Sequence, residues 1–563
     1  PERDVSREPP RIGVFVCNCG INIGGVVRVP EVAEYAKTLP HVVYVEENLF
    51  TCSQDTQDKM VEVIKAQGLN RVVVAACTPR THEGLFQETL INSGLNKYLF
   101  EMANIRNHDS WVHPDDPDAA TQKAKDLVRM SVAKTALLSP LKERDLPINH
   151  SALVVGGGIA GMTAALSLAR HGYPVHIIEK SGFLGGQALG LHRTYKGEGI
   201  ASHVKDLVSA VESEEDITVH VDCMVMNVDG FVGNFKTQLS DGSSSYSIDH
   251  GVAVLAIGAK EYKPHEYLYG EHDAVMTHLE LDQLFLNNDP RLDQVTDVAF
   301  IQCVGSRNEE NPYCSKVCCT HSLVSALEFK RRNKETNVYV LYRDMRSYGK
   351  REDLYREARA KGILFFVYEL DEMPVARPNG NRVEVQFRDP ILNRTISVKV
   401  DILCLATAIV SHKDQDLAQL FKVPLDMDGW FLEAHQKLRP VEFPSDGIFL
   451  CGMAHYPKPV EESIAQARAA ASRAITVLSK ESIKVGGLVS HIVSELCSGC
   501  YGCINVCPYG AITFDHGEQV AVVNEALCKG CGACAATCPS EAVILMGFDR
   551  RELYAQIRGA LSA

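Results

Sequence analysis

No stretch of 18 apolar residues occurs in the 563-residue chain, which excludes an ordinary membrane-spanning helix. Positive charge is not in excess either: 71 acidic residues outweigh 57 basic ones, for a formal charge of −14. A nucleic-acid binder would normally carry the opposite balance, gathered in a basic patch or stripe. Residues Pro1–Pro10 hold Glu2, Arg3, Asp4, Arg7 and Glu8 without an apolar run, so no secretory signal is expected. Nineteen cysteines without an export signal read as metal ligands or redox groups rather than disulfides. The expected location is an anoxic or reducing cytoplasm. The length is too great for one hydrophobic core and predicts roughly three domains.

The clearest local signal is Leu153–Glu179, LVVGGGIAGMTAALSLARHGYPVHIIE. An apolar strand (Ala152–Val155) enters Gly156-x-Gly158-x-x-Gly161, followed by an alanine-rich helix and a second strand ending at Glu179. In a dinucleotide fold the first glycine makes the turn, the second admits the pyrophosphate, and the third lets helix and strand pack. The phosphates rest on the helix N-terminus, where unpaired N–H groups and the helix dipole favour negative charge. Glu179 stands near the spacing of an acid that binds a ribose hydroxyl. A glycine-rich turn without ligand is the bland alternative, but strand, helix, strand and acid fall in order here. Cofactor-contact candidates around this turn are Gly156, Gly158, Ile159, Ala160 and Gly161, with Glu179 and Lys180 at the second strand. Gly186 and Gln187 follow in the next loop.

Ahead of this fold, residues 11 to about 140 alternate strands (Ile12–Val16, His41–Val45, Arg71–Ala76) with helices, which predicts a small parallel α/β domain. Cys17 and Cys19 end its first strand, Cys52 follows the second, and Cys77 ends the third. Sites in open parallel sheets form at strand carboxyl ends, so neighbouring loops are expected to gather these thiols around an iron–sulfur cluster or a zinc ion. Small buried cysteines are the alternative.

Two later strands, Gly251–Ala259 and Asp401–Ala408, end in small residues, among them Ala256 and Gly258, as where a flavoprotein with two dinucleotide folds returns to its flavin domain. Asp446–Ala471 reads as strand, turn with Gly452, and helix. Flavin disulfide reductases usually carry Gly-Asp at that turn, where Gly452-Met453 stands here. A second glycine triplet is also missing. Where it belongs, Asp297–Asp344 keeps the strand–helix–strand frame but carries Cys303-Val-Gly-Ser-Arg, then Cys314 and the adjacent pair Cys318-Cys319. Four thiols at a strand end and a helix start suit one [4Fe–4S] cluster. The alternative, a redox cysteine pair, lacks any C-x-x-C in the segment. Cys223, Cys404 and Cys451 stand singly in apolar strands and read as packing.

The C-terminal region is the least ambiguous. Cys497-x-x-Cys500-x-x-Cys503-x-x-x-Cys507-Pro is repeated as Cys528-x-x-Cys531-x-x-Cys534-x-x-x-Cys538-Pro. This is the bacterial two-cluster ferredoxin spacing, in which the fourth cysteine of each run ligates the other cluster. One cluster is thus expected on Cys497, Cys500, Cys503 and Cys538, the other on Cys528, Cys531, Cys534 and Cys507.

Taken together, the glycine turn, the substituted second nucleotide loop (CVGSR…YCSKVCC), the cysteine-bearing start and the ferredoxin end resemble the A-subunit family of heterodisulfide reductase over nearly the whole chain. The resemblance implies an α/β protein with a thioredoxin-reductase-like FAD-binding core, an N-terminal small α/β domain and a C-terminal two-cluster ferredoxin domain. The expected boundaries are residues 1–147, 148–485 (with the altered second nucleotide-binding subdomain at 295–400) and 486–563. Four [4Fe–4S] clusters and one FAD are expected. Methanogen members carry a further ferredoxin domain inserted after the flavin loop, whereas here Leu191–Gly199 has no cysteine, so this is a shorter form. The family works with B and C subunits, an electron-donor enzyme such as a hydrogenase or formate dehydrogenase, and ferredoxin. It is expected to form a homodimer within a larger complex, and its methanogen members carry out flavin-based electron bifurcation. No residue stands out as a general acid or base, and for His192, Arg193, Lys196 and His321 solvated surface is the expectation. Two other readings compete: an NAD(P)H-dependent oxidoreductase like the small subunit of glutamate synthase, and an electron wire with an empty flavin site.

Overall fold

The computed structural model describes residues 2–562, in two compact units. The first joins the residues up to Leu146 with those from Lys484 on; the second runs from Pro147 to Ile483. No helix among the described residues is long and apolar enough to cross a membrane.

The first unit begins with a four-stranded parallel sheet in the spatial order Val42–Asn48, Ile12–Cys17, Arg71–Ala76, Phe100–Asn104. The two central strands are buried along their whole length, as a parallel sheet covered on both faces requires. Right-handed crossovers place Val29–Ala36 on one face and Gln54–Ala66 and Pro79–Ser93 on the other. The strand Phe100–Asn104 was not among the sequence expectations. FEMAN has little β character, and it pairs because Val72–Ala76 offers an unfilled edge.

The C-terminal part of this unit is two antiparallel strand pairs, Ser490–Ile492 with Val543–Leu545 and Ile512–Asp515 with Val520–Val523. Between them lie the short helices Gly502–Val506 and Ala533–Thr537. The closing helix Arg550–Leu561 starts at a capping box of Asp549 and Glu552 and packs on Pro117–Thr135. Contact is close at Gly559, where a β-carbon would stand 3.2 Å from Met130 Cα. Lys134 is buried beside this helix and is satisfied by Glu101 at 2.8 Å and by the Phe548 ring, 3.8 Å from Nζ.

The second unit repeats one plan twice. A five-stranded parallel sheet (Ile448–Leu450, Val252–Leu255, Ala152–Val155, Val175–Ile178, Ile217–His220) carries a three-stranded antiparallel sheet spanning Met224–His250. A second five-stranded parallel sheet, centred on Asp297–Val304 and Ile402–Thr407, carries a three-stranded sheet spanning Val375–Val400. Cys223, Cys404 and Cys451 are buried, at 1, 0 and 0 % exposure.

Gly559→Val is expected to destabilise the first unit by about 1–3 kcal/mol through overpacking against Met130 and Ala133. Thermal unfolding should show a lowered midpoint, and an unchanged one would mean that the closing helix is not docked as described.

Candidate functional site

The first three strands of the N-terminal sheet end side by side, and their loops carry Cys17, Cys19, Cys52 and Cys77. The Cys19 thiol is pushed up to about 11 by burial, with Cys17 and Cys77 as charged neighbours. Cys77 is raised by burial, against the pull of Arg106, and also has Cys52 and Cys17 beside it. One neighbourhood therefore holds all four thiols.

In the second unit a cavity of about 1500 Å³ opens over the glycine turn, larger than the ~300–1,000 Å³ of ordinary ligand clefts. Two of its three glycines are required sterically. Gly156 has φ +112°, and a β-carbon there would lie 2.4 Å from Ala256 O. A β-carbon on Gly161 would lie 1.8 Å from Gly156 O, so helix and turn could not close. Gly158 faces open space, and any side chain there would fill the cradle above the helix N-terminus. Glu179 sits at the cavity edge with Oε2 accepting from Gly157 N at 2.8 Å and Oε1 from Ser181 N at 2.8 Å. Lys180, Gly186, Gln187, Ile159, Ala160, Ala256 and Gly258 also line the cavity. Gln187 is fixed by a bond from its Nε2 to Ala259 O. Gly161 and Gly452 do not line it. They stand behind the wall, Gly452 packing on Ala160, and Met453 takes the lining position.

A second wall comes from the start of the helix that follows the strand Asp297–Val304. Cys303 lies near the end of its strand at a bulge, with φ +62°, a left-handed backbone that a non-glycine residue holds at a cost of about 1–3 kcal/mol. The helix Cys318–Arg332 begins at the adjacent thiols, which puts Cys318 and Cys319 in its first turn. Cys318 is raised well above its ordinary value by its hydrogen bond with Cys319 and by burial. Cys319 is lowered to about 7, as the acceptor of that bond. Cys303 is raised by burial with Cys319 and Cys314 nearby, and Arg307 reaches its sulfur at 3.9 Å. Cys318 also lines the large cavity, as do Lys316, Val317 and His321.

His321 corrects the expectation of solvated surface. Its ring stacks on buried His278 at 4.2 Å and Nε2 meets Asp282 Oδ2 at 3.0 Å. Burial works against its protonation, yet the Asp282 carboxylate more than offsets this and raises it. His192, too, is half-buried and stacked on Phe285, and Arg193 lines the cavity. Sequence reasoning missed Lys458. It is 4 % exposed, lines the cavity just before the helix Val460–Leu478, and donates to Gly452 O at 2.5 Å and Tyr456 O at 3.0 Å. Burial lowers it to about 7. Its place six residues after Gly452, ahead of a helix, was the available signal.

In the ferredoxin region Cys497, Cys500, Cys503 and Cys538 surround a small cavity, joining the first run to the last cysteine of the second. Among the described residues no three His, Cys, Asp or Glu side chains close tightly enough for a single ion.

Two families match parts of the chain: pyridine nucleotide-disulphide oxidoreductase over residues 150–296 and the 4Fe-4S dicluster domain over 496–542. The first match ends just before the strand that carries Cys303. The second of the iron–sulfur A subunits of the CoB–CoM heterodisulfide reductase of Methanopyrus kandleri is 37% identical over 90% of this chain and 92% of its own. The chain belongs to the A-subunit family of heterodisulfide reductase. The A subunit of the H(2):CoB-CoM heterodisulfide,ferredoxin reductase of Methanothermobacter marburgensis is 35% identical over 100% of this chain and 99% of its own. That alignment runs to 654 positions against 563 residues here, so this family member lacks a stretch that its relative has. Among solved structures, T. acidophilum thioredoxin reductase is 14% identical, with a TM-score of 0.42, over 59% of this chain and 99% of its own. As a family member the chain is an oxidoreductase that transfers electrons, with an FAD-binding domain and a 4Fe–4S dicluster domain.

Gly161→Ala should lose FAD while keeping its iron, because the new methyl group meets Gly156 O; full flavin retention, read by absorbance, would disprove the tight turn. Lys458 carries a second expectation. Its folded value lies below the ordinary 10.5, so its burial destabilises the fold fully below about pH 7 and fades as pH rises toward 10.5. In flavin-free protein Lys458→Met should therefore raise the melting temperature more at pH 7 than at pH 10.

Proposed function

We propose that the chain is the FAD- and [4Fe–4S]-containing electron hub of a heterodisulfide reductase-like complex. It passes electrons between a donor enzyme, ferredoxin and a disulfide or analogous acceptor. The observation that carries this reading is the shared wall: Cys318 lines the cavity whose other side is the glycine turn. Bound there, FAD supplies exchange of electrons singly or in pairs, whereas iron–sulfur clusters carry them one at a time. The glycine turn and the first turn of Ile159–Ala169 would hold the pyrophosphate and Glu179 would bind the ribose. Cys303, Cys314, Cys318 and Cys319 would hold one cluster. Cys17, Cys19, Cys52 and Cys77 hold another, and the two ferredoxin runs hold one each in the crossed arrangement that the small cysteine-lined cavity supports. Lys458 and Lys316 place N–H donors beside the cavity, Lys316 as the partner of Glu462.

The partners proposed are B- and C-like subunits, a hydrogenase or formate dehydrogenase as donor, and ferredoxin, with a homodimer inside the assembly. The M. marburgensis relative is named for H(2), heterodisulfide and ferredoxin together, which supports this grouping and the bifurcating form of the transfer. An NAD(P)H-fed oxidoreductase needs a second phosphate cradle, and Cys303–Cys319 stands where it belongs.

Anaerobically prepared protein should contain about sixteen irons and one FAD per chain, and Cys318→Ala should lose about four irons with its flavin retained. NADH and NADPH should leave the flavin absorbance unchanged while dithionite bleaches flavin and clusters alike. Rapid stoichiometric bleaching by either nucleotide would replace this reading with the NAD(P)H oxidoreductase.

A further inference from the structure

The ferredoxin domain is built from two halves whose strand registers match. Ser490 pairs with Leu545 and Ala521 pairs with Phe514. Ser490 and Ala521 each stand seven residues before the first cysteine of their own run, and Phe514 and Leu545 each stand seven residues after the last. Ser490 and Ala521 therefore hold equivalent places, and both are buried, at 3 % and 5 % exposure. What differs is one hydroxyl. Ala521 lines the cavity formed by Cys497, Cys500, Cys503 and Cys538 with nothing but a methyl group. Ser490 stands by the other cysteine group, with Oγ 3.1 Å from Cys534 Sγ and its backbone N–H donating to Cys528 Sγ at 3.4 Å. A ligating thiolate can only accept, so the hydroxyl is the donor.

We propose that the Ser490 hydroxyl sets the two ferredoxin clusters apart, making the one on Cys507, Cys528, Cys531 and Cys534 the easier to reduce. This rests on the reading of the eight cysteines as ligands of two [4Fe–4S] clusters. Reduction adds negative charge that the ligand sulfurs share, so a donor to sulfur stabilises the reduced state more than the oxidised one and raises the potential. The effect is strongest where water is excluded, as around Ser490. Backbone donors serve both groups: Ser490 and Ala511 N–H reach Cys528 and Cys507, and Ser540, Ala542 and Val543 N–H reach Cys538. The twin has one hydroxyl of its own, Ser540 Oγ, at 3.6 Å from Cys538 Sγ. That contact is longer, and Ser540 is partly exposed, so water competes for both groups. Each group has one exposed cysteine, Cys500 in the first and Cys531 in the second. The hydroxyl thereby gives the pair a direction, with electrons entering beside Cys500 and coming to rest beside Cys531.

The test is an anaerobic redox titration of the full chain followed by electron paramagnetic resonance, with Cys500→Ala used to identify the twin's signal. Ser490→Ala should move one ferredoxin midpoint to a more negative potential and leave its twin in place. Ala521→Ser should raise the twin, and the double exchange should reverse their order. The proposal is overturned if Ser490→Ala keeps its iron and moves neither midpoint, or moves both equally. Should Ser490→Ala lose iron, Ala521→Ser decides alone, and a twin that does not rise overturns the proposal. A wild-type chain without two reducible clusters in this domain would instead sink the ligand reading beneath it.

Discussion

The cavity of the second unit exists because nothing projects from Gly161. The helix Ile159–Ala169 can lean onto the turn only while its first turn meets the bare carbonyl of Gly156. From that contact follows the position of the helix N-terminus, and with it the open cradle at Gly158. Glu179 is tied back to the same turn through Gly157 N, so the acid and the cradle move as one piece. Ala160 then sets how closely Gly452 can approach, which fixes the strand and helix that present Met453 and Lys458. A large ligand site thus hangs on one absent methyl group, whose carbon would stand 1.8 Å from Gly156 O.

Against this wall stands one built on the second parallel sheet, where the loop after Asp297–Val304 carries thiols. A left-handed Cys303 at a bulge and a helix whose first turn is Cys318-Cys319 present them. Charges near this wall are matched across long sequence distances. Lys316 and Tyr348 both meet Glu462, and Arg351 meets Glu461. These pairs tie the thiol-bearing segment to the start of the helix Val460–Leu478, where an ion pair in a partly dry place holds geometry more than it adds stability.

What was readable in the sequence was what is encoded locally. The glycine turn depends on backbone conformations that only particular residues permit, and the ferredoxin runs depend on fixed spacing, so both could be read directly. The N-terminal thiols were readable by strand order alone, since Cys17, Cys52 and Cys77 follow three strands that lie side by side. The strand Phe100–Asn104 was not readable, because its partner rather than its composition makes it a strand. The His278–His321–Asp282 arrangement and the Lys458 contacts were hidden for the same reason. Residues far apart in sequence assemble them, and each looks like ordinary polar surface when taken singly.

The closing helix Arg550–Leu561 packs on Pro117–Thr135, so the first unit is completed by residues made long after its sheet. During synthesis the N-terminal sheet emerges more than 300 residues before its C-terminal complement, and at about 5–20 residues per second the wait lasts on the order of tens of seconds. The entire second unit can fold within that interval as a continuous segment. The face of Pro117–Thr135 that receives Gly559 stays uncovered until then. Closure of the first unit is therefore a late event in the life of the nascent chain.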